Sequence, residues 1–143
     1  MESGKYDLIN VMSEQPVPLT IPGLPPANST YSQATVLGGL VFVSGQLGID
    51  PMTNKLAGDD MASQTRQALL NIERILKVAG SRLDLVARCN LYLADYGRLG
   101  EANAVYAEFF PTHKPAKTGV GVSELWAGAL IEIEVTAAIS SGS

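Results

Sequence analysis

The sequence predicts a single α+β domain in which two helices pack on one face of a mixed β-sheet. Its 143 residues are the usual size of one domain, and its apolar fraction of 46% is typical of a globular chain. The predicted elements follow the order β-β-α-β-α-β-β, and a strand pair followed by alternating helices and strands is typical of such a layered architecture. We expect another subunit to cover the opposite face of the sheet.

The chain is predicted to begin with an N-terminal arm over residues 1–19, partly disordered, followed by one domain over residues 20–140. Prolines are frequent between residues 13 and 30, and they favour an extended segment over a helix or a central strand. Two strands follow between Gln33 and Ser44, joined by Gly38-Gly39, a dipeptide that tolerates the positive φ of a hairpin turn. Residues 45–59 are predicted to be a loop.

Apolar residues at helical spacing predict two helices. The first begins after Asp59 or Asp60, which can accept free N–H groups of the first turn, and ends at Gly80. Its apolar stripe consists of Met61, Thr65, Ala68, Leu69, Ile72, Ile75, Leu76 and Ala79. The second spans about 99–110, ends at Pro111, and has the stripe Ala102, Val105, Tyr106 and Phe109.

Three further strands are predicted over about residues 85–94, 118–123 and 129–137. The last has the clearest pattern, because Ile131, Ile133 and Val135 alternate with polar residues. Period-two alternation is typical of a strand with one buried face.

Charge and composition argue against several classes of protein. The net charge of −4 disfavours electrostatic binding to the phosphate backbone of nucleic acids. No apolar run is long enough to span a bilayer. The chain has one cysteine, Cys89, and no recognisable secretory signal, so we expect a cytoplasmic protein.

Single residues offer little support for familiar catalytic centres. His113 is the only histidine, so a site with several histidine ligands cannot form within one chain, and no metal is expected. We interpret His113 as structural or exposed, and Cys89 as a small buried apolar residue.

Longer segments carry a resemblance to a known family. These segments are Tyr31–Ala34 with Phe42–Gln46, His113–Thr118 with Ala129–Glu134, Gln64–Gln67 at the start of the first helix, and Asn103–Phe110 in the second. By these motifs, over about residues 20–138, the chain resembles the Rid family, the YjgF-type reactive intermediate deaminases formerly called L-PSP endoribonucleases.

The resemblance implies a chorismate-mutase-like fold and a homotrimer with a barrel-like core and ligand clefts between subunits. It implies hydrolysis of small carboxylate-bearing enamines and imines to 2-oxo acids and ammonia, without a cofactor. Carried over by motif, Lys117 binds the substrate carboxylate and Glu132 handles water or a proton. The pocket residues are then Tyr31, Ser44, Gly45, Gly119 and Trp126.

The chain departs from the family pattern at this site. Lys117 replaces an arginine, Gly119 a cysteine, Gly121 a glutamate, Trp126 a proline, and Ser29-Thr30 a Gly-Pro pair. A lysine keeps the charge but loses the bidentate geometry of arginine.

Several interpretations of these residues stay open. Lys117 holds an anion as a point charge, forms a Schiff base, or is a solvated surface residue. Glu132 acts on water, faces solvent, or pairs with Arg88; Trp126 forms a wall of the cleft or packs at the trimer seam. The hypotheses are therefore a deaminase with a pathway-specific substrate, a non-catalytic metabolite-binding or chaperone-like trimer, and an endoribonuclease or translation inhibitor.

Overall fold

The computed structural model describes residues 14–24 and 30–140. Ten strands and helices lie in these ranges: β1 Val17–Leu19, β2 Ala34–Leu37, β3 Leu40–Leu47, β4 Ile49–Asp50, β5 Lys55–Leu56, α1 Met61–Val78, β6 Val86–Leu93, α2 Leu99–Phe109, β7 Ala116–Gly121 and β8 Ile131–Ala138. The predicted α+β class is confirmed. Among the described residues, no helix is long and apolar enough to cross a membrane.

Six strands form one mixed sheet in the order β1-β2-β3-β8-β6-β7. All neighbours are antiparallel except β6 and β7, which run parallel. The C-terminal strand β8 therefore lies near the centre, between β3 and β6. Strands β4 and β5 form a separate two-stranded hairpin.

Both helices pack on one face of this sheet, as predicted. Every residue of the predicted α1 stripe is fully buried. The Asp60 carboxylate caps α1 by accepting a hydrogen bond of 2.7 Å from the Ser63 N–H. The helix ends before Gly80, which adopts a φ of +82° that a glycine tolerates without a steric penalty.

Strand alternation divides the sheet into a helix face and an open face. Buried side chains such as Val43, Leu91 and Ile133 lie on the helix face. The open face carries Phe42 and Val120, each 40% exposed, together with the acidic residues of β8. That a second copy covers this face in a homotrimer stays a prediction.

The structure contains short strands that the sequence did not indicate. Val17–Leu19 is an edge strand on β2, and Pro18 is compatible with this position because an edge strand needs fewer backbone donors. The predicted loop over residues 45–59 includes the end of β3 and the β4–β5 hairpin, whose turn places Asn54 at a φ of +60°. Residues 1–13 of the predicted arm, and Ser29, lie outside the described residues.

Candidate active site

A β-bulge in β3 organises the candidate site. Val43 pairs with Val135 and Gln46 with Ile133, so Ser44 and Gly45 share the interval that one residue occupies on β8. A bulge bends its strand and changes the direction of nearby side chains. The Ser44 hydroxyl donates a 2.6 Å hydrogen bond to the Ser32 carbonyl oxygen, which fastens the segment after residue 30 to the bulge.

Gly45 leaves the space that the Glu132 side chain occupies. A Cβ atom at position 45 would overlap the Glu132 carboxylate. Since β8 lies next to β3, the missing side chain lets this carboxylate lie directly against the bulge. Gly45 and Glu132, which the sequence analysis assigned to the site from two separate segments, thus pack against each other.

The Glu132 carboxyl is half-buried, and none of the described residues donates a hydrogen bond to it. Burial raises its pKa above the ordinary value, and the nearby Glu134 carboxylate adds to the rise. A carboxyl group in this state exchanges a proton closer to neutral pH than an exposed one. The arrangement can therefore supply an acid or a base to a bound molecule.

Glu134 lies two residues after Glu132 on the same face of β8, and its carboxylate accepts hydrogen bonds from two neighbouring side chains. The Tyr92 hydroxyl and the Asn90 amide both donate hydrogen bonds to its Oε1 atom, the second at 3.2 Å. The hydrogen bond to Glu134 is the main cause that raises the pKa of Tyr92 to about 12. Arg88 donates to Thr118 at 3.1 Å and to Asn90 at 3.4 Å, so the structure does not pair it with Glu132.

An open cleft of about 730 Å3 lies over the bulge. Its lining residues are Tyr31, Gln33, Ser44, Gly45, Gln46, Leu47, Ile49, Asn71, Trp126, Glu132 and Glu134. The structure thus brings together five predicted site residues, namely Tyr31, Ser44, Gly45, Trp126 and Glu132. No Lys or Arg is among these described lining residues, so the charged groups of the cleft are both acidic.

Buried amides in this cleft were missed by the sequence analysis. The Gln46 amide donates to the Gln33 side-chain oxygen at 3.0 Å, and the Asn71 amide donates to the Ile49 carbonyl oxygen at 2.8 Å. The only sequence signal for Asn71 is that it is an isolated polar residue within the apolar face of α1.

Lys117 and Gly119 lie on the other face of the sheet. In the parallel β6–β7 register Lys117 is opposite Cys89 and Gly119 is opposite Leu91, both buried against the helices. The exposed Lys117 ammonium donates to the Asn103 side-chain oxygen in α2 and lies 4.6 Å from the centre of the Tyr106 ring. The structure therefore does not place Lys117 beside Glu132 within one chain.

The remaining candidate residues have structural surroundings. The His113 Nε2 atom lies 2.6 Å from the Val86 carbonyl oxygen, and burial raises the pKa of the Cys89 thiol to about 12. The Cys89 thiol is therefore not poised as a nucleophile at neutral pH, and the His113 ring contacts a backbone group. Among the described residues, no group of three His, Cys, Asp or Glu side chains is arranged to hold a metal ion.

Comparisons with known proteins identify relatives over most of the chain. Residues 23–139 match the family described as Endoribonuclease L-PSP. The chain is 39% identical to Protein HMF1 of Saccharomyces cerevisiae over 121 residues, which are 85% of this chain and 93% of the relative. It is 37% identical over 113 residues to a Rattus norvegicus protein named 2-iminobutanoate/2-iminopropanoate deaminase, covering 79% of this chain and 82% of the relative.

Solved structures show the same fold. The crystal structure of E. coli TdcF with bound serine matches with a TM-score of 0.80 and 29% identity, covering 88% of this chain and all of that one. The crystal structure of yeast Mmf1 matches with a TM-score of 0.84 and 36% identity, covering 88% of this chain and all of that one. The implied fold is therefore confirmed for the described sheet and its two helices.

Proposed function

This chain belongs to the endoribonuclease L-PSP family, also called the YjgF/Rid family, and on that premise we propose that it hydrolyses small carboxylate-bearing imines and enamines. The products are 2-oxo acids and ammonia. The name of the rat relative supports this class of reaction. The observation that carries the proposal is the half-buried Glu132 carboxyl, to which no described residue donates a hydrogen bond and which lines the cleft with Tyr31, Ser44 and Gly45.

The proposed reaction adds water to the carbon of the C=N bond and breaks the C–N bond. Glu132 as a carboxylate accepts a proton from the attacking water and passes it to the nitrogen, which gives a carbinolamine. The hydroxyl proton of this intermediate then reaches the nitrogen through Glu132 as the C–N bond breaks, so that the carbonyl forms and ammonia leaves. For an enamine, the protonated acid first donates to the terminal carbon and produces an iminium ion, whose N–H proton returns to the Glu132 carboxylate to give the imine. Burial raises the pKa of Glu132, which brings its proton exchange closer to neutral pH and favours a role as acid and base.

A cation for the substrate carboxylate must come from outside this cleft, since its described lining residues include none. We propose that a second copy of the chain places its Lys117 at the mouth of the cleft. Lys117 is exposed on β7, an edge strand of the sheet, where a neighbouring subunit can approach it. The homotrimer is then the catalytic unit, and Lys117 acts as a point charge on the substrate carboxylate.

A coupled assay tests the proposal directly. An amino-acid oxidase generates 2-imino acids, semicarbazide traps those that remain, and the protein competes with the trap. We expect wild type to reduce trapped imine and Glu132→Gln to lose about a hundredfold or more of this activity, as removal of a general acid–base residue does. Glu124→Gln, on an exposed loop outside the cleft, is the matched control. Wild-type activity that survives Glu132→Gln would contradict the assigned role.

A non-catalytic metabolite-binding trimer is the second candidate. It is favoured by the contacts of Lys117, which already donates to Asn103 and packs on the Tyr106 ring. Ligand binding measured by calorimetry without accelerated imine loss would support this candidate over the deaminase. The two cleft carboxylates and the net charge of −4 oppose phosphate binding and thus the ribonuclease hypothesis.

A further inference from the structure

Trp126 is a large apolar side chain in an unusual position. It is the only tryptophan of the chain and is 76% exposed, although it lines the cleft together with Tyr31, which is 47% exposed. Large exposed aromatic side chains that share a concave surface are typical of binding sites, because their burial by a ligand is favourable.

A strained turn follows Trp126. The Trp126 carbonyl oxygen accepts a 3.1 Å hydrogen bond from the Ala129 N–H. Between them Ala127 has a φ of +60° and Gly128 a φ of +69°. Glycine adopts this left-handed region freely, whereas alanine does so at a steric penalty. Strain of this kind persists where surrounding contacts hold it, and it is frequent at functional sites.

Contacts from α1 hold the turn in place. Gln64 is only 2% exposed, and its side chain bridges two backbone groups. Its amide donates to the Gly58 carbonyl oxygen at 2.9 Å, and its oxygen accepts from the Leu130 N–H at 2.8 Å. Ala129, between this bridge and the turn, is 1% exposed. The loop that carries Trp126 is therefore anchored to α1 by the hydrogen bonds of Gln64.

Within one chain the cleft is wide, and it stays open on the side where the second copy is proposed to bring its Lys117. Its volume of about 730 Å3 lies in the range of roughly 300 to 1,000 Å3 that is usual for larger ligands. Leu47 and Ile49 add apolar lining, and the two acidic residues disfavour a substrate side chain with a negative charge.

We propose that Trp126, with Tyr31, selects substrates whose side chains are large and apolar, either aromatic or branched aliphatic. This inference rests on the proposed deaminase function and names the substrate class for the same cleft. The indole ring packs against the side chain of the imino acid, while the reacting C=N group lies at Glu132. Trp126 is thus a specificity-determining residue, and truncation of its ring changes which substrate is preferred.

Binding is measured with the full-length protein through the fluorescence of its single tryptophan. We expect 4-methyl-2-oxopentanoate, a product with a branched side chain, to change the emission at concentrations about tenfold lower than pyruvate does. Calorimetry with phenylpyruvate extends the comparison to an aromatic product. Equal affinity for pyruvate and the two larger oxo acids would overturn the proposal.

Kinetics provide the second test. The ratio of kcat/KM for imines from phenylalanine or leucine to that for the imine from alanine should fall about tenfold in Trp126→Ala. We expect Trp126→Phe to retain most of the ratio, and Tyr96→Ala, which truncates a 54% exposed ring outside the cleft, to leave it unchanged.

The outcomes separate this inference from the proposed function. Turnover with an unchanged ratio in Trp126→Ala would leave the deaminase intact and overturn the specificity proposal. Selective, Trp126-dependent binding of large oxo acids without any turnover would support the specificity proposal and contradict the deaminase. A lower assembly mass of Trp126→Ala in light scattering, with an unchanged ratio, would make Trp126 a subunit contact and overturn the proposal.

Discussion

Glu132 and Glu134 are carboxylates on the same face of β8, and their neighbours give them different properties. Glu134 accepts hydrogen bonds from Tyr92 and Asn90, whereas no described residue donates one to Glu132. The nearby Glu134 carboxylate contributes, after burial, to the raised pKa of Glu132. One strand thus carries both the proposed catalytic carboxyl and a residue that adjusts its proton affinity.

The raised pKa of Glu132 predicts a pH-dependent stability difference. A group whose pKa is higher in the folded than in the unfolded state contributes stability at low pH and loses it as pH rises through the folded pKa. As the pH rises from about 4 to about 7, the free energy of unfolding of Glu132→Gln should therefore increase relative to that of wild type. Urea unfolding at both pH values and one fixed protein concentration measures this, and a difference that does not change with pH would contradict it.

The packing of Gly45 against Glu132 predicts a specific cost for Gly45→Ala. The added Cβ would overlap the carboxylate, which is the movable end of the Glu132 side chain and can turn aside, so we expect a loss of only about 1 kcal/mol in the free energy of unfolding. Gly119→Ala is the matched control, because its Cβ would lie 3.5 Å from Leu99 Cδ1, an ordinary contact distance. Denaturant unfolding compares the two variants, and equal destabilisation would show that the Glu132 contact is not the cause.

At the scale of elements, local patterns predicted the main helices and strands, while pairing between distant segments decided the rest. The cap at Asp60 and the alternation in β8 are readable because their signals lie within a few residues. The edge strand Val17–Leu19 depends on pairing with β2, so its proline-containing sequence gave no such signal.

The position of Lys117 illustrates the same limit at the candidate site. The sequence of β7 has no apolar alternation, and its facing is fixed only by the parallel register with β6. Because a shift of one residue exchanges the two faces of a strand, the motif identified Lys117 and Glu132 without showing that they lie on opposite sides. Gly45, in contrast, lies in a bulge beside Glu132, where a Cβ atom would overlap the Glu132 side chain.

The cap of α1 yields a prediction at this scale. Asp60→Ala removes the acceptor for the Ser63 N–H and should lower the urea concentration at the midpoint of unfolding. Asp59→Ala removes a neighbouring exposed charge that does not cap the helix and should have little effect. Urea unfolding followed by circular dichroism compares them, and similar losses would argue against a capping role.

For the whole molecule, the open face of the sheet and the separation of Lys117 from Glu132 both support assembly with a second copy of the chain. Phe42 and Val120 remain substantially exposed on that face, although the opposite face is closely packed. A second copy that covers apolar surface and brings its Lys117 to the cleft would account for both observations. Light scattering should then give about 45 kDa, three times the 15.1 kDa chain.

Mixing two inactive variants tests whether the site is shared between subunits. Lys117→Ala and Glu132→Gln should each be inactive as homotrimers, since every cleft lacks one group. In trimers refolded from an equal mixture, a cleft that takes Glu132 from one chain and Lys117 from its neighbour is intact with a probability of about one quarter. Imine hydrolysis should therefore recover to about a quarter of the wild-type rate. The control is a mixture of the two variants that are refolded separately and combined afterwards, which should show no such recovery. If both residues acted within the same chain, every mixed trimer would stay inactive, and the shared cleft would be excluded.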